Sequence, residues 1–127
     1  MSLWRQRRGQ QGEALAVAYL QQQGYQIQHQ NYRCRYGEVD IIAWDEATLV
    51  FVEVKTKGHL RFGAPQSMVD WRKQQKLTRV AMAYVQQQAL RDTPVRFDVV
   101  AIVWGAEAPP EVTHLPAAFS PPAHFYY

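Results

Sequence analysis

Glu38-Val39-Asp40-Ile41-Ile42-Ala43-Trp44-Asp45 and Leu49-Val50-Phe51-Val52-Glu53-Val54-Lys55-Thr56 are two β-rich runs separated by Glu46-Ala47-Thr48. A hairpin closing tightly around Glu46 and Ala47 puts Asp45 opposite Thr48. Stepping back along both strands then brings Asp40 opposite Glu53 and Glu38 opposite Lys55. Side chains alternate along a strand, so Glu38, Asp40, Glu53 and Lys55 share one face. The other face carries Val39, Ile41, Ala43, Val50, Val52 and Val54, an apolar set that belongs to a core and pins the register.

Two carboxylates held opposite each other among apolar neighbours repel and weaken the sheet. Either one of them takes a proton or a cation sits between them. Lys55 supplies one positive charge. A hard divalent cation suits the oxygen donors better, because Mg²⁺ needs only one or two carboxylates and keeps waters for substrate phosphate oxygens. Glu13 is a candidate third acidic group, although at the start of a helix a carboxylate also serves the helix dipole. The competing reading is an edge-strand ion pair between Glu53 and Lys55.

Outward from the hairpin, a helix is expected from about Gln10 to Gln23, with Ala14, Leu15, Ala18, Tyr19 and Leu20 as its apolar face and Gly24 just past its end. Tyr25 to Arg33 alternates as a strand, and Tyr36-Gly37 marks a turn. After a loop from Lys57 to Pro65, Pro65 and Ser67 signal a second helix to about Ala89, with Leu77, Val80, Ala81, Tyr84 and Val85 buried. Val95 to Val103 reads as the last strand. Five of the seven prolines lie between Pro109 and Pro122, which predicts a tail without regular structure. The division is a single domain over 1–104 and a Pro-rich tail over 105–127. The order α-β-β-β-α-β predicts an α/β sandwich around a mixed sheet.

The 127 residues suffice for one core without a staple. Apolar residues at 47% and charged ones at 20% exclude a disordered or fibrous chain. Cys34 is the only cysteine, so no internal disulfide forms, and the scattered His29, His59, His114 and His124 offer no zinc spacing. No apolar run reaches membrane-span length. The seven-residue run Ala14 to Leu20 behind Arg5, Arg7 and Arg8 lacks a cleavage site, so it is no signal peptide. A cytoplasmic protein is expected, with no membrane partner.

The net charge of +3 is uninformative, but its placement is not. Lys55, Lys57, Arg61, Arg72, Lys73, Lys76 and Arg79 face a single acidic residue, Asp70, over their whole span. With Trp71, Phe62 and His59 interleaved, this stretch is a candidate nucleic-acid footprint. A solvated helix face is the bland alternative.

Glu13, Gly37-Glu38-Val39-Asp40 and Phe51-Val52-Glu53-Val54-Lys55 together resemble the PD-(D/E)XK, or restriction-endonuclease-like, nuclease superfamily. Within it the chain is most similar to the YraN-like family. Asn31-Tyr32-Arg33, Phe62-Gly63, Lys73 with Lys76-Leu77, and Arg96-Phe97-Asp98-Val99-Val100 add to that resemblance, which spans Gly9 to Val103. It implies a sheet flanked by helices, similar to archaeal Holliday-junction resolvases. It also implies an acidic site of Glu13, Asp40 and Glu53, with the Val54 backbone carbonyl as a further ligand of Mg²⁺ or Mn²⁺ and Lys55 activating water. Val39 stands where the name-giving motif has proline.

The expected function is therefore a metal-dependent endonuclease acting on DNA, including branched DNA. The alternative is a non-catalytic nucleic-acid-binding or protein-interaction module on the same fold. The expected phosphate-binding residues are Lys57, Arg61, Arg72, Lys73, Lys76 and Arg79. Arg96 and Asp98 share a strand face, where they either pair structurally or edge the site, and Glu38 has the same two roles open. A second copy of the chain remains a candidate partner.

Overall fold

The computed structural model describes residues 3–57, 69–105 and 108–121. The elements run α1 (Leu3–Gln22), β1 (Gln26–Cys34), β2 (Gly37–Asp45), β3 (Thr48–Lys57), α2 (Trp71–Gln87), β4 (Val95–Val103) and β5 (Glu111–Phe119). The strands form one sheet in the order β1-β2-β3-β4-β5. Only the β3–β4 pair is parallel, as a crossover through α2 requires, so the sheet is mixed. The helices cover its two faces. Ala16 and Leu20 of α1 pack on Ile41, Ala43, Val50, Val52, Val100 and Ile102. Leu77, Val80, Ala81, Tyr84 and Val85 of α2 pack on Ile42, Leu49, Phe51, Phe97 and Val99. This is the α/β sandwich expected, with an architecture consistent with a restriction-endonuclease-like core.

The hairpin register is the expected one: Asp45 pairs with Thr48, and the ladder continues through Ile41 with Val52. Glu46 takes a positive φ of 54° to close the turn. Side-chain alternation, however, slips near the other end. Ile41 packs on the α1 side, whereas both Val39 and Ile42 belong to the α2-side cluster. Across from this slip, Asn31 of β1 sits in the left-handed region with φ 54°. Val39 therefore does not share the apolar back face of the hairpin with Ile41 and Ala43.

Three further expectations change. Helix α1 begins earlier than Gln10, which puts Glu13 inside the helix and takes away its role at the helix start. The buried stripe of α1 is Gly12, Ala16 and Leu20, while Ala14 and Ala18 are exposed. Gly12 is needed there: a Cβ would come within 2.5 Å of Thr56 Oγ1, so glycine lets α1 approach β3 closely. The end of α1 is as expected, with Gly24 at φ 93° and Tyr25 N–H bonding to Leu20 O at 3.0 Å.

Helix α2 starts at Trp71, capped by the Asp70 carboxylate accepting from Lys73 N–H at 2.9 Å. The start signals Pro65 and Ser67 lie outside the described residues, as do Arg61, Phe62, Gly63, His59 and His124. The stretch expected to lack regular structure contains β5, which pairs antiparallel with β4. Pro116 fits because β5 is an edge strand, where a missing N–H need not break a ladder.

Candidate functional site

The two halves of the hairpin part company beyond Ile41 and Val52. From there β2 remains paired with β1, through Tyr32–Val39, Arg33–Glu38 and Cys34–Gly37, while β3 remains paired with β4. The Asp40 carboxylate fills the fork, accepting a hydrogen bond from Val54 N–H at 2.7 Å. The Glu53 carboxyl lies beside it, near enough to act on its ionisation. Glu53 is 5% exposed.

Such a pair cannot hold two negative charges. Burial, then the hydrogen bond and charge of Glu53, push the Asp40 carboxyl from 3.8 up to about 8, against the opposing pull of Val54 N–H. The charge of Glu13 on α1 adds to the rise. Without a cation between them, the proton is the remedy open to this pair. The same oxygens suit a hard divalent cation, which needs only one or two carboxylates. Among the described residues, no three His, Cys, Asp or Glu side chains are grouped closely enough to hold a metal ion together. Glu13 acts on Asp40 through its charge.

Positive groups gather on Glu53. Lys73 Nζ of α2 lies 3.0 Å from Glu53 Oε2, and Lys55 Nζ lies 4.0 Å from the same oxygen. Burial disfavours the Lys73 ammonium, but the charge and hydrogen bond of Glu53 outweigh that and raise its pKa. Glu38 does not meet Lys55; it pairs with Arg33 Nε at 2.9 Å. The β2–β3 ladder ends before the expected Glu38–Lys55 pair, and β1 brings Arg33 opposite Glu38 instead.

Arg72, Lys76 and Arg79 are exposed on α2, and the backbone of Lys57 ends β3. Lys73 is therefore unlike its neighbours: sequence spacing groups it with phosphate ligands, whereas packing turns it inward to Glu53. Its helical position across the sheet was the missing signal.

Arg96 and Asp98 pair, with Arg96 Nε 2.8 Å from Asp98 Oδ1. Asp98 also meets His114 Nε2 at 2.7 Å and accepts from Ala117 N–H at 3.0 Å. Arg96 reaches Asp45 at 3.0 Å and the Tyr25 hydroxyl. His114 in turn lies edge-on to Tyr19 of α1. Asp98 thus faces the α1 side, whereas Glu53 is paired from α2, and the two acids occupy opposite faces. Burial opposes the Asp98 charge, but His114, Arg96 and Ala117 N–H prevail and lower its pKa. His114 was an unassigned histidine in the sequence, and its role depends on the strand hidden in the Pro-rich stretch.

No helix among the described residues is long and apolar enough to cross a membrane. Comparison with known proteins matches residues 12–102 to a family described as uncharacterised protein family UPF0102. A UPF0102 protein of Geotalea uraniireducens is 48% identical over 111 residues, covering 87% of each chain. One from Geobacter metallireducens is 42% identical over 119 residues, covering 94% of this chain and 97% of its own. A third, from Moorella thermoacetica, is 47% identical over 102 residues, covering 80% and 85% respectively. The matched span includes Glu13, the Asp40–Glu53 fork, Lys55 and Lys73, so the chain belongs to the UPF0102, or YraN-like, family.

Proposed function

We propose that the protein is a metal-dependent endonuclease that hydrolyses phosphodiester bonds in DNA, branched DNA included. One observation carries this reading: Asp40 and Glu53 come together in a fork of the sheet, Asp40 held by Val54 N–H and Glu53 approached by Lys55 and Lys73. A fold that gained only stability from these positions would do better with apolar or singly charged residues.

Asp40 and Glu53, with the Val54 backbone carbonyl, would hold the cation, and Asp40 gives up its proton to do so. When bound, Mg²⁺ or Mn²⁺ supplies polarisation of the phosphate and a lowered pKa for a bound water. Lys55 orients the attacking water and stabilises the negative charge that develops on phosphorus oxygens. Glu13 adds negative potential at Asp40. Arg72, Lys76 and Arg79, with Lys57 and Arg61, neutralise flanking phosphates without reading bases.

The test is a panel of branched, nicked, single-stranded and duplex DNA with Mg²⁺ or Mn²⁺. Cleavage by the parent and its loss in Glu53→Gln and Lys55→Ala are expected; Glu53→Gln cutting as fast as the parent overturns the assignment. A second reading, a non-catalytic nucleic-acid-binding module, is favoured by one observation. Lys73 Nζ pairs with Glu53 at 3.0 Å, which gives that carboxylate a structural partner within the fold. The enzyme should gain thermal stability from Mg²⁺ or Mn²⁺, whereas a pure binding module need not.

A further inference from the structure

Beside the acid pair, between the β1–β2 turn and α2, lies a cavity of about 370 Å³ lined by Arg33, Cys34, Gly37, Glu38, Lys73 and Lys76. That volume is at the lower end for small-ligand sites and suits one nucleotide, not a stretch of duplex. Its acidic member, Glu38, is engaged by Arg33. The cations that face a ligand are Lys76, which is exposed, and Lys73, for which a ligand competes with Glu53 at 3.0 Å. A phosphate taken by these lysines would therefore sit next to the acid pair.

A second observation concerns aromatic surface. Among the described residues the exposed large hydrophobics are Tyr36, 42% exposed, and Trp71, 68% exposed. Tyr36 directly precedes the lining residue Gly37, whereas Trp71, two residues before Lys73 on α2, projects from a different side of the helix. Arg35 backs the Tyr36 ring, its guanidinium carbon 5.1 Å from the ring centroid. Exposed rings bordering a cationic cleft are the means by which proteins hold unpaired bases, whose faces are free; in an intact duplex those faces are covered by stacking.

We infer that this cleft binds an unpaired nucleotide, its phosphate on Lys76 and Lys73 and its base against Tyr36, so that the preferred substrate carries single-stranded character beside the bond to be cut. This rests on the proposed nuclease reading for what happens next, but the binding itself does not. A flap, a fork or a frayed junction arm meets the requirement, and a uniform duplex does not.

The experiment uses the full chain in EDTA, at low salt, with labelled oligo(dT) and a duplex of equal length followed by fluorescence anisotropy. Tyr36→Ser should weaken oligo(dT) binding roughly ten-fold while changing duplex binding less than about two-fold, and Trp71→Ala, off the cleft, should change either by less than about two-fold. Oligo(dT) should also slow modification of Cys34, the single cysteine, by a water-soluble thiol reagent on the unaltered protein. Equal losses on both DNAs, no binding of oligo(dT), or an unprotected Cys34 would overturn the inference. Aromatic-dependent oligo(dT) binding without any cleavage in Mg²⁺ or Mn²⁺ supports the subsite while sinking the catalytic reading. Cleavage indifferent to Tyr36→Ser does the reverse.

Discussion

Asp40 accepts a hydrogen bond from the backbone N–H of Val54 at 2.7 Å, at the point where β2 and β3 cease to pair with each other. The side chain thus takes over from a backbone carbonyl that has turned away with β1. It also meets Glu53, and the two contacts make opposite demands: the N–H wants an anion, and the neighbouring carboxyl wants a proton.

Without metal, that conflict gives a pH dependence with a definite sign. The folded protein holds the Asp40 proton up to about pH 8, while the unfolded chain releases it near 4. Between those values the native state binds more protons, so stability contributed by this group falls as pH rises through the window. Asp40→Asn keeps an oxygen for Val54 N–H and offers an amide N–H to Glu53. The variant is expected to be more stable than the parent above pH 8 and to show a flatter profile between pH 4 and 8. Chemical denaturation across that range, in EDTA, checks both; a parent profile that rises with pH there would contradict the assigned proton.

Lys73 is the charge partner of a nearly buried carboxylate. Removing it with Lys73→Met leaves Glu53 facing Asp40 without its nearest cation, since Lys55 stands at 4.0 Å. Leaving a buried charged acceptor unpaired costs about 1–3 kcal/mol, toward the low end here because Lys73 is partly exposed. Glu53→Gln in the same background should recover most of the loss, because it removes the stranded charge. Urea unfolding of the two single variants and the double variant measures the coupling.

The hairpin was legible because its information is local. The turn at Glu46-Ala47 and the apolar runs on either side admit one register, and that register carries Asp40 to Glu53. Helix α2 was equally legible from Leu77 to Val85, because its buried stripe has helical spacing. The Lys73–Glu53 pair was not, since it depends on how α2 lies across the sheet, a tertiary fact without a period. Strand β5 was concealed by its prolines, which mark turns in isolation but are tolerated at an open sheet edge. In α1, Leu20, Leu15 and Tyr19 were legible as packing residues, but Gly12 and Ala16 were not, because they carry little hydrophobic signal; they are small to let the helix come close, not apolar to drive it there.

Asp98 anchors β5 to the body of the sheet through His114 Nε2 and Ala117 N–H. Its pKa is lowered, so the stability it contributes is present above the ordinary carboxylate range and is lost as pH falls through its native value. Asp98→Ala strips Arg96 and His114 of a shared, fully buried acceptor and is expected to cost about 3–5 kcal/mol. Hydrogen exchange should show β5 amides, Ala117 foremost, losing protection before those of β3. Uniform loss across the sheet would place the contribution of Asp98 in the global core instead.

The basic face of α2 divides into two kinds of lysine, and salt dependence separates them. Lys76 is exposed and free to meet a phosphate, so neutralising it should flatten the log–log salt slope of duplex binding by about 0.9. Lys73 already balances Glu53, and a phosphate must compete with that carboxylate for it. In EDTA, Lys73→Ala should therefore change the slope by clearly less than Lys76→Ala, and the double variant should fall well short of two phosphates. Under the proposed mechanism Lys55→Ala does not cleave, so Mg²⁺ supplied to that variant would neutralise the acid pair by another route and should free Lys73 for the backbone. The Lys73 contribution then rises toward that of Lys76 in the same titration. Equal slopes for the two lysines in EDTA would mean that the Glu53 pair does not hold Lys73 in solution, and the cation would belong to the phosphate-binding ridge from the start.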